Sequence, residues 1–263
     1  MAEPVMDLSG RVALVTGAGQ GVGAETCRYF GAHGAKVVVN DYVLERAQAV
    51  AEEIRTEGGE ALGLQGDVTD PISVAALVAK GAAELGPIDV LVNNAGNAGA
   101  DPTNLATKPF WQGDASEWEP FLQVNLYGVL HCCRAVIPGM IEAGRGGRII
   151  TVISDAARVG EQGLEVYSAA KAGAAGLTRA LARGLGRYDI TANNVAIGAT
   201  RTPTFAELLD NEAWAGPALK KYVIRRFGEP SDAAALITFL GSGAAGWVTG
   251  QTYAINGGFS FSQ

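Results

Sequence analysis

Val12-Ala13-Leu14-Val15-Thr16-Gly17-Ala18-Gly19-Gln20-Gly21-Val22-Gly23 is the stretch that decides the fold. Its opening apolar run predicts a short buried strand at Val12–Thr16, and Gly21–His33 reads as a helix closed by Gly34. A strand handed straight to a helix through glycines is the first half of a parallel crossover unit. The same glycines have a chemical use. At Gly17, Gly21 and Gly23 the backbone can approach a pyrophosphate, and the helix N-terminus offers free N–H groups and a positive dipole end. Gln20 and Val22 share that turn. A tight turn alone would need similar glycines, so the surrounding chain must decide.

Outward from this turn the chain alternates. Strands are expected at Lys36–Asn40, Ala61–Gln65, Ile88–Asn93, Arg148–Ile153, Ile190–Ala196 and Gln251–Ile255. Helices are expected at Leu44–Glu57, Pro71–Leu85 (capped by Thr69 or Asp70), Ser116–Ala143, Val166–Tyr188 and Ser231–Ser242. No composition break interrupts them. The prediction is one α/β domain over residues 1–263: a doubly wound, Rossmann-like parallel sheet of about seven strands with helices on both faces. Two stretches break the rhythm, each leaving the C-terminal end of a strand, where open α/β sheets bind ligands. One is Asn97–Ala115, with Phe110 and Trp111; the other is Ala199–Gly228, with Trp214, Lys220, Lys221, Arg225 and Arg226. Both are candidate substrate loops; the alternative is surface decoration.

Composition excludes other classes. Apolar residues at 48% and charged residues at 18% do not describe a disordered chain. The longest unbroken apolar run, Val74–Ala79, is too short to cross a bilayer, so no membrane helix is expected. The first ten residues do not read as a signal peptide. A net charge of −7 makes a nucleic-acid partner a poor expectation. Three cysteines, Cys27, Cys132 and Cys133, suit a reducing cytoplasm better than a disulfide framework. The only histidines, His33 and His131, form no metal-ligand spacing or serine-histidine pair, so no metal is expected and any acid/base chemistry needs another group.

Asp41 ends the second strand. A carboxylate there can accept the hydroxyls of an adenosine ribose and repels a 2′-phosphate, which favours NAD over NADP. Tyr167 and Lys171 lie four apart on a predicted helix and share a face. An ammonium beside a phenol is expected to lower its pKa from about 10 and make it a usable acid/base. A half-buried tyrosine with a solvated lysine is the plain alternative. Ser154 ends the preceding strand, where its hydroxyl can hold a substrate oxygen.

Together these residues resemble the short-chain dehydrogenase/reductase family, in its compact single-domain form, close to 3-oxoacyl reductase-like members. The match rests on Thr16-Gly17-(x)3-Gly21-x-Gly23, Asp67-Val68, Asn93-Asn94-Ala95-Gly96, Asn125, Ser154, Tyr167-(x)3-Lys171 and Thr249-Gly250-Gln251…Gly257-Gly258, in order across nearly the whole chain. The resemblance implies a catalytic set of Asn125, Ser154, Tyr167 and Lys171. Tyr167 would pass the proton, Ser154 would position the oxygen, and Asn125 would support a water linking Lys171 to solvent. The implied cofactor set is Gly17, Gln20, Gly21, Val22, Gly23, Asp41, Asp67, Val68, Asn94, Ala95, Gly96, Tyr167, Lys171, Ile197, Thr200 and Thr202. Thr202 resembles the threonine that holds the carboxamide.

Departures from the family pattern stand out. Ile197-Gly198 replaces the usual Pro-Gly, which would leave that turn shifted or more mobile. Asn256 stands where an acid is common, and Asp155 and Arg158 follow Ser154 where small residues are usual. Arg158 can reach an anionic substrate or pair with Asp155 or Glu161. The segment after Gly96 is several residues longer than in compact members. The expected activity is NAD(H)-dependent interconversion of a secondary alcohol and a ketone. The substrate would be a 3-hydroxyacyl/3-oxoacyl thioester or a cyclic alcohol or sugar. A non-catalytic dinucleotide sensor would ordinarily lose Tyr, Lys or Ser, and a sugar-nucleotide epimerase would need a larger C-terminal domain. The long helices suggest a D₂ homotetramer.

Overall fold

A computed structural model describes residues 5–97 and 109–261. Most of the first candidate loop, residues 98–108, therefore lies outside the described residues. The strands are β1 Val12–Val15, β2 Lys36–Asp41, β3 Glu60–Gln65, β4 Val90–Asn93, β5 Gly147–Ser154, β6 Ile190–Ile197 and β7 Thr252–Ile255. They form one sheet in the order β3-β2-β1-β4-β5-β6-β7, and every pairing is parallel. The order reverses between β1 and β4, the position at which such sheets open a binding crevice.

Alternate residues of the strands feed two cores. Ala13, Val15, Val37 and Val39 pack with Phe30 of α1 (Gly21–Ala32), Ile54 of α2 (Leu44–Thr56) and Ile237. Val12, Leu14, Val38 and Leu91 face the other way, onto Leu77 of α3 (Pro71–Leu85), Val136 and Leu185. The α3 start follows its local chemistry: Asp70 accepts from the N–H groups of Ile72 and Ser73, and Pro71 occupies the first turn.

The expected helix at Ser116–Ala143 is broken. A short α4 (Glu119–Leu122) runs into a π-turn at Gln123–Tyr127 and then α5 (Gly128–Ala143). By length and composition, the stretch Ala115–Ala143 is apolar enough to cross a membrane, which run length alone did not reveal. Its apolar content has a local use: Val129, Cys132, Val136 and Met140 are buried in the second core. After β5 come α6 (Ala156–Val159) and the long α7 (Glu165–Leu185).

The second candidate loop is more ordered than its sequence suggests. It carries α8 (Ala206–Asp210) and α9 (Glu212–Leu219), and Leu209, Tyr222 and Phe227 bury one another in a small core. The turn at Ile197-Gly198 is tied to its surroundings by backbone hydrogen bonds. Gly198 N–H donates to Ile255 O, Ala199 N–H to the Tyr222 hydroxyl and Arg201 N–H to Gly228 O. The final helix, α10 (Pro230–Gly241), starts in a capping box between Glu229 and Asp232 and covers the first face.

Candidate active site

A cleft of about 600 Å³ lies over the C-terminal ends of the strands. It runs from Gln20, Asp41 and Tyr42 past Gly66–Val68 and Ala95–Gly96 to Tyr167, Lys171 and Ile197. Its size suits a small-molecule cofactor.

The glycine turn is shaped for close approach. Gly17 and Gly21 hold φ near +59° and +57°, values that disfavour any side chain. A Cβ on Gly17 would stand 2.7 Å from Ala95 Cα, and one on Gly19 would stand 2.7 Å from Asp41 Oδ2. Gln20 caps α1 without a side-chain bond to its first turn. The turn is braced from β4: Asn94 Nδ2 donates to the carbonyls of Thr16 and Gly17, both at 2.9 Å. Asn94 is thus a brace for the turn, not only a wall of the cleft. Gly23 lies behind the turn, where a Cβ would meet Asn94 Nδ2 at 2.5 Å.

Asp41 is buried at the end of β2. Gly19 N–H donates to its Oδ2 and Val43 N–H to its Oδ1, each at 2.9 Å, so the carboxylate is held rigidly in the cleft wall. Asp67 is held by Thr69, whose N–H and hydroxyl both donate to its Oδ1. Val68 is seated against Gly128, where a Cβ would fall 2.9 Å from Val68 Cγ2.

At the other end, Tyr167 and Lys171 project from α7 as their spacing requires. Lys171 is buried, and its Nζ donates to Val152 O at 2.9 Å while standing 6.0 Å from the centre of the Tyr167 ring. Burial pushes the lysine down to about 8. It also pushes the Tyr167 phenol up to about 12; a hydrogen bond with Ser154 opposes this and the charge of Glu161 adds to it. The expected lowering of the phenol by Lys171 is therefore not seen in the protein's own groups. Desolvation of the phenolate dominates, and the ammonium is aimed at a carbonyl.

Asn125 sits in the π-turn, fully buried. Its Nδ2 donates to Asn97 O at 2.8 Å and to Phe121 O at 3.0 Å. A Cβ on Gly96 would lie 3.0 Å from both Asn125 Oδ1 and Lys171 Nζ, so a bare glycine separates the two. Ile197 and Thr202 line the cleft, with the Thr202 methyl facing Gly21. Thr200 is not among the residues lining the cleft: its hydroxyl donates to Gly198 O, and it pairs with Gly228. Arg158 forms an ion pair with Asp155 at 2.6 Å, the second of the options its sequence position allows. Asn97, Thr204 and Phe205 were not named singly but lie in the two candidate substrate loops, whereas Val152, inside a strand, carried no signal in the sequence. Among the described residues, no cluster of His, Cys, Asp and Glu is suited to a metal ion.

Comparison with known proteins places this geometry. The short chain dehydrogenase family profile matches residues 11–213. The chain belongs to the short chain dehydrogenase family. It is 41% identical to a cis-4-hydroxycyclohexanecarboxylate dehydrogenase of Sinomonas cyclohexanicum, covering 95% of this chain and 96% of that one. It is 37% identical to the (2S)-[(R)-hydroxy(phenyl)methyl]succinyl-CoA dehydrogenase subunit BbsD of Thauera aromatica, over 97% and 98%. A 7α-hydroxysteroid dehydrogenase solved with NADH and 7-oxo glycochenodeoxycholic acid superposes with a TM-score of 0.90 at 34% identity, over 98% and 97%. A gluconate 5-dehydrogenase from Burkholderia cenocepacia, solved with NADP and tartrate, superposes at 0.89 with 32% identity, over 97% and 96%. The protein is an oxidoreductase of this family acting on CH–OH groups, and the family binds a nicotinamide dinucleotide.

Proposed function

We propose that the chain is a single catalytic domain that interconverts a secondary alcohol and a ketone with NAD(H). The observation that carries this reading is one cleft joining Asp41 at one end to Tyr167 and Lys171 at the other. The cradle fits a dinucleotide: side chains at Gly17, Gly19 or Gly96 would intrude on the braced turn, on Asp41 or on Lys171. Gly17, Gln20, Gly21 and Val22 would hold the pyrophosphate at the start of α1, with Asp67 and Val68 at the adenine. The rigid Asp41 carboxylate supports NAD, because a 2′-phosphate would meet like charge.

The bound dinucleotide supplies the hydride acceptor or donor. Ser154 holds the substrate oxygen beside the Tyr167 phenol, whose proton affinity its hydroxyl lowers. Tyr167 exchanges the hydroxyl proton. Lys171, brought down to about 8, sits on the same helix face as the proton's next stop. Asn125 fixes Asn97 and thereby the floor behind Gly96.

A cyclic or ring-bearing secondary alcohol is the favoured substrate. Arg158 and Arg226 are held in ion pairs with Asp155 and Asp232, and the relative at 41% identity is named for a cyclohexane substrate. A 3-hydroxyacyl thioester is the second reading, supported by exposed Lys220 and Lys221 and by the CoA-ester relative. Three buried, unpaired thiols support a cytoplasmic setting, and the net charge of −7 argues against nucleic acid; no membrane partner is proposed. Exposed Tyr127 and Leu130 at the start of α5 support a homotetramer, which light scattering tests: a stable monomer would remove it.

The deciding experiment follows reduced-nicotinamide absorbance over a panel of cyclic alcohols and 3-hydroxyacyl thioesters, with NAD and with NADP. Wild type should turn over a member of the panel preferentially with NAD. Tyr167→Phe should bind NAD and lose turnover. A Tyr167→Phe enzyme with wild-type rate ends the proposal, and a preference for NADP ends the cofactor assignment.

A further inference from the structure

Two of the sequence departures meet in space. Ser154, Ile197 and Ile255 lie in register across β5, β6 and β7. One residue further on stand Asp155, Gly198 and Asn256. Neighbouring strands are about 4.8 Å apart, so Asp155 and Asn256 are separated by the whole width of β6. They touch because the residue between them is glycine: a Cβ on Gly198 would lie 3.2 Å from Asn256 Cα and 3.3 Å from both Asn256 Cβ and the Tyr222 hydroxyl oxygen. Over that gap Asn256 Nδ2 donates to Asp155 Oδ2 at 2.6 Å. The Ser260 hydroxyl donates to the same oxygen at 3.0 Å, and Arg158 holds Oδ1 at 2.6 Å. Arg158 also reaches the Ser260 hydroxyl at 3.0 Å. Asn256 Nδ2 is shared with Ser260 O at 2.9 Å, and its Oδ1 accepts Gly258 N–H at 3.0 Å. Asp155 and Asn256 are both buried.

The tie acts on the serine. Asp155 N–H donates to Ile197 O at 3.0 Å, and Ala156 N–H donates to Ser154 Oγ at 3.2 Å. The peptide that carries Ser154 is therefore held from below by β6 and from the side by the C-terminal turn at 256–260.

We propose that Asp155 is a positioning residue, and that its buried tie to Asn256 and Ser260 makes the C-terminal turn part of the device that aims Ser154. This rests on the reading of Ser154 as the group that holds the substrate oxygen. The carboxylate stands on one side of Gly198, at 155, and its amide donor on the other, at 256. A reciprocal exchange therefore tests the claim.

Asn256→Asp sets two carboxylates face to face. Its kcat on a cyclic alcohol should fall about tenfold or more, the scale of a lost hydrogen bond to a charged group. Its Kd for NAD, read by fluorescence titration, should stay within about twofold, because Asp41 and the glycine turn lie elsewhere. Asp155→Asn/Asn256→Asp restores a donor opposite an acceptor but gives up the Arg158 ion pair and the Ser260 O contact, so kcat should recover in part, about threefold or more above that of Asn256→Asp. Ser260→Ala, which removes one donor without adding charge, should lower kcat with NAD affinity kept, and it serves if Asn256→Asp does not fold. Wild-type kcat in the foldable single variants, or a double variant no better than Asn256→Asp, overturns the proposal. If wild type turns over no alcohol, the functional reading fails separately. Hydrogen exchange at Ala156 and Gly258 then reads the tie alone: it should be faster in the single variants and restored in part in the double, and unchanged exchange refutes it.

Discussion

Lys171→Met should stabilise the protein while destroying its activity. Burial brings the lysine from its ordinary 10.5 to about 8, so the folded state releases a proton that the unfolded chain keeps. Wherever the unfolded chain binds more protons, stability rises with pH, and for Lys171 that window runs from about 8 to 10.5. Below it the buried ammonium is a standing penalty of about 3 kcal/mol at pH 7, falling to about 2 kcal/mol at pH 9. Methionine matches the lysine stem in shape and carries no charge. It withdraws the donor from Val152 O, at a cost of about 1 kcal/mol. The net gain at pH 7 is then about 2 kcal/mol, roughly 4 °C in Tm for a chain of this size. The three buried thiols oppose the trend above pH 9. Burial raises Cys132 and Cys133 to about 12 and raises Cys27 as well, so the folded state keeps protons that the unfolded chain loses. They are common to both proteins and cancel in the difference. The assay is urea unfolding of wild type and Lys171→Met at pH 7 and pH 9, at one protein concentration and without dinucleotide. The gap should shrink by about 1 kcal/mol between the two pH values. A variant less stable than wild type at pH 7, with a gap independent of pH, would refute the assignment of a strained buried ammonium.

Gly19→Ala places a methyl 2.5 Å from Arg46 Cβ and 2.7 Å from Asp41 Oδ2; NAD affinity should fall about tenfold or more in a fluorescence titration, the scale of an overpacked site, while circular dichroism stays native. Asp89→Ala acts at the opposite edge of the sheet, where the buried carboxylate accepts Val12 N–H and Arg145. It should lower unfolding free energy by about 2–3 kcal/mol in urea and leave the NAD Kd unchanged.

The strands and the crossover helices were legible because apolar runs and glycine stops coincide with them. Val12–Val15 and Lys36–Asp41 are buried along almost their whole length, and such strands write continuous Val/Ala/Leu runs into the chain; Ile190–Ile197 is equally buried but is interrupted by Thr191, Asn193 and Asn194. The π-turn at Gln123–Tyr127 was not legible. Apolar spacing continues through Val124, Leu126 and Val129, so nothing in the pattern marks the one-residue shift that turns Asn125 toward Asn97. The helices α8 and α9 were hidden for another reason. They are short, and Pro217 lies inside α9, so local preference speaks against them. Burial of Leu209, Tyr222 and Phe227 outweighs it, and those residues reach one another only through the tertiary fold.

At the site, the sequence anticipated where the candidate residues lie better than their energetics. Spacing on a helix is enough to put Tyr167 and Lys171 on one face, and strand ends are enough to bring Ser154 beside them. The sign of the coupling depends on what spacing leaves out. Lys171 is buried and Tyr167 half-buried in the cleft wall, and burial disfavours phenolate and ammonium alike. It moves the phenol up and the lysine down, so the two proton affinities cross over: an ordinary tyrosine and lysine titrate within a unit of each other, whereas here the lysine loses its proton far more readily. In the protein alone, Tyr167 keeps its proton well past neutrality, while Lys171 gives its own up only above about pH 8. A helix-face argument that assigns the lysine the task of lowering the phenol is therefore incomplete. The ammonium must first be held in its charged form by polar groups aimed at it. Val152 O is the one hydrogen-bond acceptor that this chain gives its Nζ among the described residues.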